Sequence, residues 1–423
     1  MSDNTMAMPG SSPLRLQTIL SHNTLKLTPS DQVCYVLLDI SPATDLPTQR
    51  LPVNLSLVLD KSTSMQGIRL QQVKEATRQI IDYLEPHDTL SLVVFSDRAE
   101  VLLPGQNNID KALAKSIAST IQPSGGTEML QGLVAGLKEI RANRTDQTVN
   151  HLILLTDGQT YGDEDECRQR AEWAGQNQIS LSTMGIGSDW NEDLLDDMAT
   201  ASGGISTYID SPRKTVDVFK STIRELSTIV AKETILTIDP IADATVQEAF
   251  QITPHIRRLE VSANRSILGP LGTTNRKTVI LELLTKGLTE EGQKTLLRLT
   301  VEGDVPNRSQ NKRWVEVKVN VTNEETEVTV PPTIITTMGK LAIYKMQEKA
   351  MQDLEKGNVA AATQRLETMA TRLLNLGETD LARAALLEAG RLSRTGDLSS
   401  EGRKKIRYGT RSLSILPKEI DND

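Results

Sequence analysis

The stretch Val53-Asn-Leu-Ser-Leu-Val-Leu-Asp60-Lys-Ser62-Thr-Ser64-Met65 runs from an apolar-rich segment into a polar turn that carries three oxygen-bearing side chains. Val53 to Asp60 has the length and composition of a buried strand of a parallel sheet. Beyond it Leu70, Val73, Ile80, Ile81 and Leu84 recur at helical spacing, so the turn lies between a strand end and a helix that opens near Gly67. In an open α/β sheet, ligands bind outside the carboxyl ends of the strands.

Working outward, Thr89 to Phe95, His151 to Thr156 and Ile179 to Ile186 read as further strands alternating with helices, and Asn108 followed by Asp110 resembles a helix cap. The pattern predicts a doubly wound α/β domain over residues 51–230. After it the period changes to two: Val315, Val317, Val319 and Val321 alternate with Trp314, Glu316, Lys318 and Asn320, and Thr278 to Leu284 reads as another strand. Val33 to Ile40 is a similar segment before the α/β domain, and a lone strand pair is marginal in water. These features predict one β-sandwich built from residues 14–50 and 233–332, with the α/β domain inserted into it.

Pro331-Pro332 ends that region, and Val359, Ala362, Leu366, Met369, Leu373 and Leu376 then keep helical spacing. Gly357-Asn358 and Gly377 mark short turns, with Thr379 or Asp380 expected to cap the next helix. A helical module over 333–415 follows, flanked by a disordered start at 1–13 and a tail at 416–423.

Two distant segments join the polar turn. Thr127 sits in Ser-Gly-Gly-Thr, where glycines permit close backbone approach, and Asp157-Gly158 follows the strand Leu152 to Thr156. Asp60, Ser62, Ser64, Thr127 and Asp157 can therefore meet at one rim. Two carboxylates and three hydroxyls, without His or Cys, suit a hard cation such as Mg²⁺, which takes about six oxygens at roughly 2.0–2.1 Å and retains waters. Mn²⁺ or Ca²⁺ could substitute. Such an ion would stay electrophilic and accept a carboxylate from another molecule.

Asp60-Lys-Ser62-Thr-Ser64-Met65 with Thr127 and Asp157-Gly158 resembles the metal-ion-dependent adhesion site of von Willebrand factor A domains, over about residues 51–230. The resemblance implies Mg²⁺ bound directly by Ser62, Ser64 and Thr127, with Asp60 and Asp157 direct or through water. A partner protein's Asp or Glu would complete the shell. Insertion into a β-sandwich is similar to integrin β-chains and inter-alpha-trypsin inhibitor heavy chains, and bacterial homologues of calcium-activated chloride channels are also similar. By family association the chain would be an adaptor, for an AAA+ ATPase of the MoxR kind or for a kinase and phosphatase set.

Composition narrows the alternatives. With 47 basic and 55 acidic residues the net charge is -8, which argues against nucleic acid or anionic membrane as general partners. Cys34 and Cys167 have no paired spacing, and no run reaches the roughly 18 apolar residues of a membrane span. A cytoplasmic location, with no membrane span and no channel activity, is the expectation. Acidic runs at Asp163 to Glu166 and at Glu192, Asp193, Asp196 and Asp197 suit helix first turns, or alternatively a negative rim. Gly185-Ile-Gly187 lacks the third glycine of a dinucleotide turn and reads as a tight turn.

Arg403, Lys404, Lys405, Arg407 and Arg411 read as a solvated helix face or a docking surface, beside modifiable Tyr408, Thr410, Ser412 and Ser414. Histidines 22, 87, 151 and 255 lack ligand spacing, and His151 reads as structural. No catalytic residues are expected. A Mg²⁺-dependent phosphohydrolase with Asp60 as nucleophile is the rival, although Ser62 stands where a second Asp would protonate the leaving group. A structural subunit with an empty site is the third reading.

Overall fold

The computed structural model describes residues 13–43, 50–241, 244–261, 264–306, 311–324 and 329–413. Residues 1–12 of the expected disordered start, the 416–423 tail and Ser414 lie outside the described residues. The chain divides into two compact units. One takes Pro47–Glu233 with Gly269–Thr274, and the other takes Met1–Leu46, Thr234–Leu268 and Asn275–Asp423.

The first unit holds a six-stranded sheet, in the spatial order Ala99–Gln106, Thr89–Phe95, Val53–Asp60, Val149–Thr156, Ile179–Ile186, Ser206–Ile209. All pairings are parallel except that of Ala99–Gln106, which folds back antiparallel as an edge strand. That strand escapes the sequence pattern because most of its side chains remain accessible. Val53–Asp60 is buried throughout and lies at the centre. Its Leu55, Leu57 and Leu59 join Leu70, Val73 and Ile80 of the Ile68–Tyr83 helix and Phe219 of the Thr215–Ser227 helix in one core. Ser56 and Val58 point the other way, where a Cβ on Gly136 of the Met129–Ala142 helix would stand 2.4 Å from Val58. Helices thus cover both faces, as the apolar strands require.

Asp110 caps Lys111–Thr120, accepting from the amides of Ala112 and Leu113. The Thr215–Ser227 helix stops where Ile229–Ala231 turns extended and pairs antiparallel with Leu271–Gly272. Gly185 and Gly187 have separate reasons. A Cβ on Gly185 would stand 2.0 Å from the fully buried Trp190 ring, while Gly187 has φ +77°, a left-handed conformation that favours glycine. Gly185→Ala is therefore expected to lower unfolding free energy by about 2 kcal/mol through overpacking, read as a fall in the urea midpoint.

The second unit carries two five-stranded sheets built from both flanks. One runs Leu14–Leu20, Gln32–Pro42, Lys277–Thr285, Ala244–Gln251, Arg257–Leu259, all antiparallel. The other runs Arg265–Ile267, Thr234–Pro240, Gly292–Gly303, Lys312–Thr322, Thr24–Lys26, with only the last pairing parallel. Val315, Val317, Val319 and Val321 are buried, as their alternation requires.

Among the described residues four helices follow, Pro332–Glu355, Val359–Asn375, Thr379–Thr395 and Ser400–Arg411. Gly357 and Gly377 have φ of +75° and +79°, and the Asn358 side chain accepts from the amide of Ala361. Neither Thr379 nor Asp380 caps the third helix: Glu378 occupies that position without a side-chain cap bond, and Leu376 is exposed rather than packed. Leu37, Phe250 and Ile280 of the first sheet share one core with Ile334, Leu341, Leu366 and Met369, so the helices complete a sheet face.

The basic cluster is not a uniform solvated face. Lys404 is 1% exposed, and Tyr408 and Thr410 are also buried, which removes both as ready modification sites. Their helix packs closely on its neighbour, since a Cβ on Gly402 would stand 2.2 Å from Glu388 and one on Gly409 2.5 Å from Leu381. Arg403 and Lys405 remain exposed.

Candidate metal centre

Three segments of the α/β unit carry the five residues. Asp60 ends the central strand and is fully buried; its Oδ1 accepts from the Ser62 amide at 2.7 Å. Its Oδ2 accepts from the Thr156 hydroxyl at 2.6 Å. The Ser62 and Ser64 hydroxyl oxygens lie 3.0 Å apart. Ser64 Oγ donates to Asp157 Oδ1 at 2.6 Å. Thr127 meets the same rim beside Gly158, where a Cβ would stand 3.0 Å from the Thr127 hydroxyl oxygen. Gly158 is thus small because the threonine occupies that space.

Backbone bonds fix the loops. Lys61 donates to the Phe95 carbonyl at 2.8 Å and accepts from the Ser124 amide at 2.7 Å, while Thr63 donates its amide to the Gly125 carbonyl at 3.1 Å. Asp97 accepts from the Gly126 amide at 2.7 Å, and its carboxylate fills the space where Gly125, at φ +73°, would carry a Cβ. The Ser-Gly-Gly-Thr loop is therefore held from both sides.

Burial pushes the Asp60 carboxyl up to about 6, against the lowering effect of its bonds to Ser62 and Thr156. A positive charge at the rim would favour its ionised form. Asp157 carries an ion pair with Arg69, Nη1 to Oδ2 at 2.6 Å. Among the described residues no three His, Cys, Asp or Glu side chains group as a metal cluster.

Three contributors went unnoticed in the sequence. Thr156 is a hydroxyl at the end of an apolar run, Arg69 lies in the first turn of the Ile68–Tyr83 helix, and Asp97 follows the neighbouring strand; nothing in their spacing singles them out. The negative rim loses two members, since Glu192 and Asp196 are buried at 3% and 5% exposure.

The histidines stay away from this rim's hydrogen bonds. His151 is buried, with Nε2 2.9 Å from the Ser182 hydroxyl, and desolvation lowers its pKa to about 4. Between about 4 and the unfolded value of roughly 6.5 the unfolded chain takes a proton that the native state refuses, so this residue's contribution to stability is lost as pH falls. Acidification from pH 7 to 4 is expected to cost about 3 kcal/mol at this site. Urea midpoints measured across that range should fall less steeply in His151→Gln.

Residues 54–221 match the family model described as von Willebrand factor type A domain. Residues 54–221 are a von Willebrand factor type A domain. Residues 332–415 match a second model, the Sll0103-like, C-terminal alpha-helical domain, and form a C-terminal all-α domain. The uncharacterized protein sll0103 of Synechocystis sp. is 29% identical over 87% of this chain and 90% of its own length. The inter-alpha-trypsin inhibitor heavy chain H4 of Bos taurus is 32% identical over 43% of this chain, but the match takes in only 22% of that longer protein. Among solved structures, a von Willebrand factor type A protein from Catenulispora acidiphila shares the fold with a TM-score of 0.77 over 97% of this chain and 99% of its own, at 16% identity. No helix among the described residues is long and apolar enough to cross a membrane.

Proposed function

We propose that this chain is a metal-dependent protein interaction module, an adaptor that takes an acidic side chain of a partner protein at the rim of its von Willebrand factor A domain. The observation that carries the reading is the continuous set of oxygens from Asp60 through Ser62 and Ser64 to Asp157, with Thr127 alongside. Ser62, Ser64 and Thr127 would hold Mg²⁺ through hydroxyl oxygens, and Asp60 and Asp157 would balance its charge directly or through water. When bound, the ion supplies an electrophilic centre for the partner's Asp or Glu. Mn²⁺ and Ca²⁺ fit the same oxygens by chemistry.

Binding suits the geometry better than catalysis. Both Asp60 oxygens already accept protein hydrogen bonds and the residue has no exposure, so neither is presented as a nucleophile. A cytoplasmic setting belongs to this proposal because Cys34 and Cys167 are both free and buried. An AAA+ ATPase or a kinase and phosphatase set as partner rests on family association alone.

Calorimetric titration with Mg²⁺ and Mn²⁺ tests the reading. Wild type is expected to bind one ion, and Thr127→Ala, which removes one hydroxyl at the rim, to bind at least about tenfold more weakly with an unchanged melting temperature. Absence of any ion binding by the wild type, with an acidic peptide present, would sink it.

A further inference from the structure

All four carboxylate oxygens of the cage have a donor from the protein, and one of those donors carries a full charge. Asp60 is served by the Ser62 amide and the Thr156 hydroxyl, and Asp157 by the Ser64 hydroxyl and the Arg69 guanidinium. Arg69 lies in the first turn of the Ile68–Tyr83 helix with 30% of its side chain exposed, whereas the Asp157 side chain has no exposure. The guanidinium is seated rather than loose. Its Nη1 lies 3.4 Å from the Ser64 carbonyl oxygen, and its Nη2 lies 3.0 Å from where a Cβ on Gly187 would stand. Three segments of the rim therefore hold one cation beside the buried carboxylate.

The charge balance follows. With both carboxylates ionised, Asp60, Asp157 and Arg69 sum to one negative charge, so a divalent ion among them leaves one positive charge in excess. Without Arg69 the same ion would be neutralised by the two carboxylates alone. Like charges at a partly buried rim repel, and an added carboxylate cancels the excess.

Resting on the metal-binding reading above, we propose that Arg69 is the rim's internal counter-cation: it satisfies Asp157 while no ion is bound and makes divalent-ion binding depend on a carboxylate from the partner. Arg69 is a positioning residue that acts through Asp157. Ion and acidic partner then bind with positive coupling, and by linkage each strengthens the other by the same factor. The chain would take its partner and its ion together.

The experiment is a Mn²⁺ titration, followed by the loss of the free-ion electron paramagnetic resonance signal, on full-length wild type, Arg69→Gln and Arg69→Lys, with and without acetate as the carboxylate probe. Melting temperatures of all three confirm folding. Arg69→Gln is expected to bind Mn²⁺ about tenfold more tightly than wild type without acetate, equivalent to about 1.4 kcal/mol, and to lose most of the gain that acetate gives the wild type. Arg69→Lys, which keeps the charge, should follow the wild type. Equal or weaker binding by Arg69→Gln, the result if the pair merely braces Asp157, overturns this inference and leaves the metal reading intact. No Mn²⁺ binding by wild type in either condition overturns both.

Discussion

Asp60→Asn is expected to weaken the proposed divalent-ion binding at least about a hundredfold, while leaving the metal-free protein as stable as the wild type within about 1 kcal/mol. The two halves of this expectation have different origins. The loss follows from removing one of only two carboxylate charges that face the rim in the proposed cage. The retained stability follows from burial: the Asp60 carboxylate is desolvated and held up near 6, so its charge is a cost to the metal-free fold.

The amide can keep most of the hydrogen bonding. Its oxygen can accept from the Ser62 amide, and its nitrogen can donate to Thr156, whose hydroxyl lies 3.3 Å from the Gly158 carbonyl and can donate there instead. Calorimetric ion titration and urea unfolding in EDTA measure the two halves separately. A variant that loses ion binding only because it is several kcal/mol less stable would show that Asp60 is structural, and the assignment of the central strand end to a cation would fall with it.

Phe250→Ala has the larger effect on folding, an expected loss of about 4 kcal/mol. Phe250 is 1% exposed in the Ala244–Gln251 strand and packs edge-on to Tyr344 with ring centroids 6.2 Å apart. Arg258 lies over the ring at 4.6 Å and Lys345 at 5.0 Å, and both cations pair with Glu248. The ring therefore anchors the Pro332–Glu355 helix to the first sheet by packing and by cation–π attraction together. The substitution leaves a cavity under that helix and removes the surface on which two charged side chains rest. Hydrogen exchange should show faster opening of the Pro332–Glu355 amides, and the urea midpoint should fall. A loss below about 1 kcal/mol would mean that the helices are held by their own packing and not by the sheet.

The α/β unit was legible because its strands are buried on both faces. Val53–Asp60, Thr89–Phe95 and Ile179–Ile186 follow the expected bounds, since a fully apolar environment leaves a clear trace in composition. Ala99–Gln106 left none, because an edge strand with accessible side chains has no burial pattern to display. Asp60, Ser62, Ser64 and Asp157 are read from their places after strand ends and Thr127 from its two preceding glycines; in the structure Ser64 bonds Asp157, and Thr127 lies beside Gly158. Arg69, Thr156 and Asp97 could not be found that way, since each acts by a hydrogen bond to a group that only the folded chain brings near.

Chemistry at the C-terminal helices was legible in its turns and not in its packing. Gly357 and Gly377 are read directly from their conformational freedom. Lys404 is written in a run of basic residues and nevertheless ends up buried, because the helix carrying it is packed against neighbours that sequence spacing does not reveal. The core shared by Phe250, Ile280, Leu341 and Leu366 likewise depends on residues far apart in the chain.

The short pairing of Ile229–Ala231 with Leu271–Gly272 bears on how this protein can be dissected. A fragment cut from residue 47 to 233 would contain the whole proposed ion site yet strip the partner strand from Ile229 and Ala231, leaving raw backbone donors and apolar side chains as a seed for self-association. Recombinant pieces meant to isolate the rim should therefore restore the 269–274 peptide, grafted through a short linker, before poor solubility is taken as a property of the module itself.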